Sequence, residues 1–229
     1  MKTHDYSHEV LKTFSLTHNY NTWVFNMLAP FLKGKILEIG CGVGNLTNFL
    51  NKCGELVSID ISENFIKHAQ IDFKNVAFHC INVCDGNITA KLPKFDTVVC
   101  INVLEHIEDD KKAIRNMYDL LVPGGRLCIF VPAMNSLYGA MDKDLDHYRR
   151  YNKKELYNLV TVPGFKVIKL NYSNLIGIFG WYVNAVLLKR SKFSILQPLI
   201  FDKIVPLIEM LERKIPPPFG MSLLLIGEK

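Results

Sequence analysis

The chain has 229 residues, a length that predicts one domain, or one domain with a substantial insertion. Its formal net charge is +5, and because the Lys and Arg residues are scattered rather than clustered, we expect no nucleic-acid partner. The 49% apolar fraction is high for a water-soluble protein and, with the positive charge, suits an anionic membrane surface or an anionic substrate.

Along the chain, short apolar stretches alternate with amphipathic ones. Residues 1–34 predict an N-terminal helical cap. Strands are predicted over 35–39, 56–59, 76–83, 97–103, 126–131, 165–170 and 221–226. Helices are predicted over 45–51, over 62–73 with Ser62 as N-cap, and over 108–121, before a Pro-Gly-Gly turn. This alternation predicts an α/β fold with a doubly wound, mostly parallel sheet.

The strongest functional signal is the glycine-rich stretch after the first predicted strand. Gly40, Gly42 and Gly44 stand at alternate positions, so the chain can turn tightly and bring its backbone against a ligand. The stretch lacks the Gly-Lys-Ser or Gly-Lys-Thr ending of a phosphate cradle, and its third glycine is misplaced for a dinucleotide. We therefore expect neither a nucleoside triphosphate nor a nicotinamide cofactor.

Two acidic residues accompany this stretch. Glu38 precedes the glycines, where a carboxylate would repel a pyrophosphate but would suit the ammonium group of an amino acid. Asp60 ends the second predicted strand, where it can accept hydrogen bonds from ribose hydroxyls. The implied ligand has a ribose, a cationic amino-acid end and no phosphate, and S-adenosylmethionine fits this description.

Five motifs resemble those of class I S-adenosylmethionine-dependent methyltransferases, across residues 20–170. They are EIGCGVG at 38–44, LVSID at 56–60, CDG at 84–86, FDTVVCINVLEH at 95–106 and LVPGGRL at 121–127. The resemblance implies a seven-stranded sheet with a helical insertion between the last two strands. It also implies S-adenosylmethionine as the methyl donor and S-adenosylhomocysteine as the product.

The resemblance implies a set of cofactor-binding residues. They are Glu38, Gly40, Gly42, Gly44, Asp60, Ile61, Asp85, Asn102, Val103 and His106. In this set Asp85 would contact the adenine amine, although it could equally be an ordinary turn residue. Glu105 and His106 could likewise cap the helix that follows them. No metal site is expected.

A second group of polar residues follows the fifth predicted strand, at 142–151. Ligands of open α/β sheets bind beyond the carboxyl ends of the strands, so this loop should overhang the methyl donor. The candidate catalytic residues are His147, Arg149, Arg150 and Tyr151. His147 could take a proton from a substrate hydroxyl, and the arginines could bind a carboxylate or a phosphate. Alternatively, the loop is a structural ion-pair cluster, and the sequence leaves both interpretations open.

The same loop, with YNTW at 20–23 and PPFGMSL at 217–223, resembles a bacterial branch of these methyltransferases associated with glycan or lipid-linked glycan synthesis. We therefore expect O-methylation of a small or amphiphilic acceptor, anionic or lipid-linked. Two alternatives stay open, namely an N-methyltransferase that acts on an amine, and a non-catalytic subunit that binds S-adenosylmethionine.

An apolar helical insertion is predicted at 173–220, between the last two strands. Its first apolar run, 175–188, is shorter than the ~20 residues needed to span a bilayer, and Lys189, Arg190 and Lys192 follow it. The insertion could lie at a membrane interface, with Trp181 and Tyr182 at the level of the lipid headgroups. It could instead cover the substrate pocket or form a homodimer interface.

The predicted domains are the cap at 1–34, the cofactor-binding domain at 35–172 and 221–229, and the insertion at 173–220. The six cysteines form no CxxC pair and are interpreted as reduced core thiols. The N-terminal residues are polar and do not resemble a signal peptide. A cytoplasmic protein is expected, at the inner face of the membrane if the insertion binds lipid.

Overall fold

The structure, a computed structural model, describes residues 12–187 and 196–229. Seven strands of these residues form one mixed sheet in the order β3-β2-β1-β4-β5-β7-β6. The strands are β1 Ile36–Ile39, β2 Leu56–Asp60, β3 Ala77–Cys80, β4 Phe95–Ile101, β5 Leu121–Pro132, β6 Lys166–Ser173 and β7 Ser222–Glu228. The pairs among β1 to β5 are parallel, and β7 is antiparallel to β5 and β6. The predicted fold class is confirmed.

Helices cover both faces of the sheet. They are α1 His18–Leu28, α2 Thr47–Leu50, α3 Glu63–Asp72, α4 Ile88–Lys91, α5 Asp110–Leu120, α6 Ala140–Asp144, α7 Lys153–Thr161, α8 Gly177–Trp181 and α9 Leu196–Lys214. A π-helical turn, Tyr182–Leu187, continues α8. The Ser62 cap is confirmed, because its hydroxyl accepts a hydrogen bond from the Phe65 N–H at 3.4 Å.

The sheet has an apolar cluster on each of its two faces, because apolar side chains of its central strands point to both faces. All of β1 and β2 is buried, as expected for parallel strands covered on both faces. Successive residues of a strand point to opposite faces, and Ile36 and Leu37 accordingly lie in different apolar clusters.

The predicted Pro-Gly-Gly turn lies inside β5 rather than before it. The strand begins at Leu121, which pairs with Phe95 of β4, and an irregularity in the register follows. Gly124 has a φ of +74°, in the left-handed region that favours glycine. The turn residues therefore bend the start of the strand, while α5 has already ended at Leu120.

The long helix α9 holds the N-terminus of α1. That terminus has no side-chain cap of its own, so its first N–H groups need other partners. The buried carboxylate of Asp202 in α9 accepts hydrogen bonds from the backbone N–H of Asn19 at 3.3 Å and of Tyr20 at 2.8 Å. Its negative charge also suits this end of the helix dipole. The contact fixes α1 to the segment between β6 and β7.

The expectation that Trp181 lies among lipid headgroups is wrong. Trp181 is only 6% exposed, and its indole N–H donates a hydrogen bond to the Leu137 carbonyl at 3.0 Å. Tyr182, by contrast, is 44% exposed. The basic residues 189, 190 and 192 lie outside the described residues. In the described part of the chain, no helix combines the length and apolar character needed to cross a membrane.

The cysteines are all unpaired, but they are not all core residues. Cys41, Cys100 and Cys128 are buried, whereas Cys53 and Cys80 are exposed and Cys84 is intermediate. The prediction that the cysteines lie in the core is therefore confirmed for the three buried ones and wrong for Cys53 and Cys80. The three-part division of the chain into domains stays a prediction.

Candidate functional site

The glycine loop leaves β1 and turns back beneath the loop that follows β4. Gly40, Gly42 and Gly44 have φ values of +73°, +53° and +88°, where a side chain would be strained. A Cβ on Gly40 would also lie 2.3 Å from a methyl carbon of Val103. The structure thus brings Val103 against the glycine loop, and glycine is required at this close approach.

Glu38 is a buried acid at the start of this loop. One of its carboxylate oxygens accepts hydrogen bonds from the hydroxyls of Thr47 and Ser58, each at 2.7 Å. Burial raises the pKa of Glu38 to about 6, although these hydroxyls act to lower it. The side chain is therefore held firmly between β1, β2 and the start of α2.

Asp60 joins the end of β2 to the glycine loop. One oxygen accepts a hydrogen bond from the Gly42 N–H at 3.0 Å, and the other accepts from the Ser62 N–H at 2.8 Å. Burial raises the pKa of Asp60, while these N–H groups act to lower it. Ile61, the next residue, is 73% exposed. The predicted ribose-binding acid thus lies beside the predicted glycine loop.

Asp85 belongs to a turn after β3. Its carboxylate accepts a hydrogen bond from the Asn87 N–H at 2.9 Å and forms an ion pair with Lys91. These contacts, with that of Lys91 first, lower the pKa of Asp85. Asn116 holds the same turn by donating to the Asp85 carbonyl at 3.0 Å. The geometry agrees with the turn interpretation, and contact with adenine stays a prediction.

A cavity lies between the glycine loop and α1. Its volume is about 250 Å³, and its lining includes His18, Asn21, Gly44, Asn45 and Phe73. A Cβ on Gly44 would approach the Phe73 ring to 2.5 Å, so glycine is required for the close packing of this ring against the loop.

The turn after β4 is covered by Tyr20 of α1. Asn102, at the start of this turn, has a φ of +52°, and its N–H donates to the Phe130 carbonyl at 2.7 Å. Burial and the neighbouring Glu105 carboxylate raise the pKa of Tyr20 to about 12, while the Asn102 side chain lowers it. The tyrosine hydroxyl therefore lies close to both residues, and α1 forms a cover over the turn.

Asp142 organises the loop after β5. This fully buried carboxylate accepts hydrogen bonds from His147 Nδ1 and Arg150 Nε through one oxygen, each at 2.9 Å. Its other oxygen accepts from the Gly139 N–H, also at 2.9 Å. When the neutral imidazole donates from Nδ1, its Nε2 is left as the proton acceptor. The hydrogen bond to Asp142 thus fixes the orientation of the His147 ring.

The ring of His147 faces the turn after β4. It packs edge-on against the ring of His106, with centroids 4.6 Å apart. The two loops are also joined by the Tyr148 N–H, which donates to the Glu105 carbonyl at 2.8 Å. The turn after β4 therefore contacts both the His147 loop, through Glu105 and His106, and the glycine loop, through Val103.

Glu105 lies beside His147 as a buried acid. Its Oε2 has no hydrogen-bond partner among the described residues. Burial raises the pKa of Glu105 to about 7, although His147 and Arg150 act to lower it. One ligand atom each from Glu105, His106 and His147 lies within 4.8 Å of the others, so these side chains could hold a metal ion.

Arg150 is buried within the loop and contacts protein groups. Besides its bond to Asp142, it donates to the Ala133 carbonyl at 3.1 Å. Its guanidinium lies 4.3 Å from the centre of the Trp181 ring, a cation–π contact. This placement agrees with the interpretation of the loop as an ion-pair cluster.

Arg149 and Tyr151 are joined through Asp110, at the start of α5. Arg149 forms an ion pair with Asp110 at 2.8 Å and donates to the Glu108 carbonyl at 2.7 Å. The Tyr151 hydroxyl lies 3.0 Å from the same carboxylate and 3.3 Å from the Leu104 carbonyl. These contacts attach the loop to the start of α5 and to the turn after β4, and a substrate role for either residue stays a prediction.

Sequence reasoning missed Tyr20 and misjudged Glu105. The expectation that Glu105 caps α5 is wrong, because the Asp109 carboxylate caps it by accepting from the Lys112 N–H at 3.0 Å. The signal for Tyr20 was present in the YNTW stretch, which carried a resemblance but no chemical role. Its position over Asn102 depends on packing between distant segments.

The sequence comparisons support the motif assignment. Residues 37–127 match a family model described as a methyltransferase domain. The ubiquinone biosynthesis O-methyltransferase of Coxiella burnetii (strain Dugway 5J108-111) is 36% identical over 102 residues, which cover 42% of this chain and 43% of that protein. The Idiomarina loihiensis protein of the same name is 30% identical over 156 residues, covering 60% and 63%. The chain thus matches less than two-thirds of either relative's length.

The structural comparison agrees with the observed sheet. The N-methyltransferase NodS from Bradyrhizobium japonicum WM9, in complex with S-adenosyl-L-homocysteine, superposes with a TM-score of 0.58. The match covers 91% of this chain and 84% of that one, at 18% identity. An identity this low establishes a shared fold and nothing finer.

The burial of Glu105 predicts a pH-dependent stability. Its folded pKa of about 7 exceeds the reference value of 4.5, so its stabilising contribution is present below pH 4.5 and is lost as the pH rises through 7. Glu105→Gln should therefore raise the free energy of unfolding more at pH 8 than at pH 5, by about 2 kcal/mol. Urea denaturation at both values measures this, with the exposed Glu63→Gln as control. If Glu105→Gln changes the free energy of unfolding equally at both pH values, the pKa of Glu105 is not raised in the folded protein.

Proposed function

We propose that this chain is a class I methyltransferase, and that it transfers a methyl group from S-adenosylmethionine to a hydroxyl oxygen of its acceptor; the match to a methyltransferase domain and the shared fold support this proposal. The observation that carries this proposal is the hydrogen bond from His147 to the buried Asp142, beside the turn that contacts the glycine loop. The product of the cofactor is S-adenosylhomocysteine.

The residues around the glycine loop fit this cofactor. The glycine loop borders a cavity of about 250 Å³ beside Gly44, in which part of a ligand can lie. Asp60, at the end of β2, would accept hydrogen bonds from the ribose hydroxyls, and Glu38 would face the amino-acid end. The other residues proposed to hold it are Gly42, Gly44, Ile61, Asp85, Asn102, Val103 and His106. When bound, S-adenosylmethionine supplies an electrophilic methyl group.

His147 is the proposed general base. Asp142 holds its Nδ1, so Nε2 can accept the proton of an acceptor hydroxyl as the oxygen becomes methylated. Asp142 is a positioning residue, because it acts through His147. Arg150 is also a positioning residue, since its buried guanidinium donates to the same Asp142 oxygen that His147 contacts. Arg149 and Tyr151 anchor the loop to α5.

An oriented base favours an oxygen acceptor over an amine. A hydroxyl becomes a good nucleophile when its proton is removed, whereas a neutral amine already carries a free electron pair. The two ubiquinone biosynthesis relatives are named O-methyltransferases, which supports the same choice weakly because they match in part of their length. The acceptor is proposed to be a small or amphiphilic molecule, anionic or lipid-linked.

Replacing Asp60 tests the cofactor site. Asp60→Ala should weaken binding of S-adenosylmethionine and S-adenosylhomocysteine by about 1–3 kcal/mol, because charged hydrogen bonds are lost. Isothermal calorimetry measures this. Asp60 also accepts hydrogen bonds from Gly42 and Ser62, so its loss could damage the loop itself. The control is the less disruptive Asp60→Asn, and the thermal unfolding midpoints of both variants report any such damage separately from ligand binding. Binding of NADH, with none of the sulfonium compound, would overturn the cofactor assignment.

Replacing His147 tests the chemistry. His147→Ala should lower kcat by roughly 10²–10⁴-fold with little change in cofactor affinity, because only proton transfer is removed. The assay follows a radiolabelled methyl group from S-adenosylmethionine into a cell lipid extract. Arg149→Ala tests the anchoring role proposed for that residue, and it should lose thermal stability but keep its activity per folded molecule.

Two results of this assay would contradict the proposal. Full activity of His147→Ala, with the label found on an amine, would assign the chain to N-methylation. Cofactor binding by the unmodified protein without transfer to any fraction would assign it to a non-catalytic subunit.

A further inference from the structure

We propose that one face of the helical pair α8 and α9 docks on the surface of an anionic membrane. This face, called here the outer face, comprises exposed apolar residues of Ile176–Val183 and a stripe along α9 that begins at Leu196 and ends at Ile215, directly after the helix. Membrane docking goes beyond the proposed reaction and does not depend on it.

The outer face of α9 is an uninterrupted apolar stripe. Its six members recur at intervals of four, four, three, four and four residues, the spacing of one helix face. They are between 43% and 77% exposed, and they are Leu196, Ile200, Ile204, Leu207, Leu211 and Ile215. Val205 and Ile208, on the opposite face, are buried against Trp23 of α1. The described residues therefore bury one face of α9 and leave the apolar stripe exposed, as is typical of a surface that binds a partner.

The helix α8 widens this stripe. Phe179 is 70% exposed, and Ile176, Tyr182 and Val183 are each more than 40% exposed. The two helices are joined at both ends, where Glu212 accepts from the Leu175 N–H at 2.9 Å and Gln197 donates to Asn184 at 3.1 Å. These contacts place the helices side by side and antiparallel.

All three acidic residues of α9 are directed toward the protein. Asp202 caps α1 through the Tyr20 N–H, and Glu209 accepts from the Asn26 side chain at 2.8 Å. Glu212 accepts from the backbone at the start of α8. Their charges are therefore used within the molecule and do not offset cations on the outer face.

The basic residues of the segment, in contrast, remain available. Lys203, Arg213 and Lys214 of α9 are exposed and form no salt bridge with any described residue. In the sequence, residues 173–201 contain three basic residues and no acidic residue. The segment thus combines an apolar stripe with an excess of positive charge.

This combination favours lipid over a second copy of the chain. Two copies that met through the outer face would place cations opposite cations, with no carboxylate of α9 free to pair with them. Anionic headgroups supply the missing negative charge, and the acyl boundary accepts the apolar side chains. Within the described residues no helix can cross a bilayer, so the helices would lie on its surface.

The same helices cover the candidate site. Asp202 of α9 holds α1, whose Tyr20 lies over Asn102, and Trp181 of α8 lies against Arg150. A docked protein would therefore present the His147 loop close to the membrane, where an amphiphilic acceptor would be held. This last step, unlike the docking itself, rests on the proposed function.

Vesicle co-sedimentation of the full chain tests the docking. The unmodified protein should sediment with phosphatidylcholine vesicles that contain phosphatidylglycerol, and much less with phosphatidylcholine alone. Ile200→Glu combined with Leu207→Glu should weaken this binding by at least about tenfold, because two apolar side chains no longer enter the lipid. The matched control combines Ile71→Glu with Val162→Glu, two exposed residues outside α8 and α9, and should bind as the unmodified protein does.

A second pair of variants tests the charge. Lys203→Gln and Lys214→Gln, which remove the two charges that flank the apolar stripe, should each weaken binding about fivefold, and added salt should do the same. The docking is wrong if the unmodified protein stays in the supernatant with both vesicle types, or if the Ile200 and Leu207 double variant binds normally. It is also wrong if the protein is a dimer that this double variant separates. Cofactor titration of the same variants reports on the proposed function independently.

Discussion

The buried carboxylate of Asp142 is the interaction on which the candidate site depends. A buried carboxyl group is costly unless its oxygen atoms are hydrogen-bonded, and the Asp142 oxygens here contact His147, Arg150 and Gly139. The three partners come from both ends of the loop, so satisfying one carboxylate fixes the path of the whole loop. The orientation of the imidazole follows from the same requirement.

This constraint extends from the loop to the outer helices. Arg150, held by Asp142, lies against the Trp181 ring, and Trp181 in turn is bound to the Leu137 carbonyl. The helix α8 is therefore packed on the loop that carries His147. Through α9 and Asp202 the same insertion fixes α1 above the turn after β4. The elements that cover the site and those that form the outer face are thus the same helices.

The parts of the fold that local sequence determines were predictable. The strands follow from apolar runs, the glycine loop follows from its spacing, and the Ser62 cap follows from one residue type. The partners of Asp142 were not predictable. Any of four acidic residues in or near the loop could have paired with Arg149 or Arg150, and they are Asp110, Asp142, Asp144 and Asp146. The contact between Asp202 and Tyr20 joins residues 182 positions apart, and no local pattern signals it. Trp181 was misjudged since an aromatic residue beside an apolar run looks the same whether it meets lipid or a buried guanidinium.

The protonation pattern of His147 tests the central claim most directly. Nitrogen NMR of the imidazole in the unmodified protein, at a pH where the ring is neutral, should show the proton on Nδ1 and an unprotonated Nε2. In Asp142→Asn, whose side chain carries no charge, this preference should weaken. A proton found mainly on Nε2 in the unmodified protein would contradict the account, because His147 would then have no acceptor atom to offer the substrate.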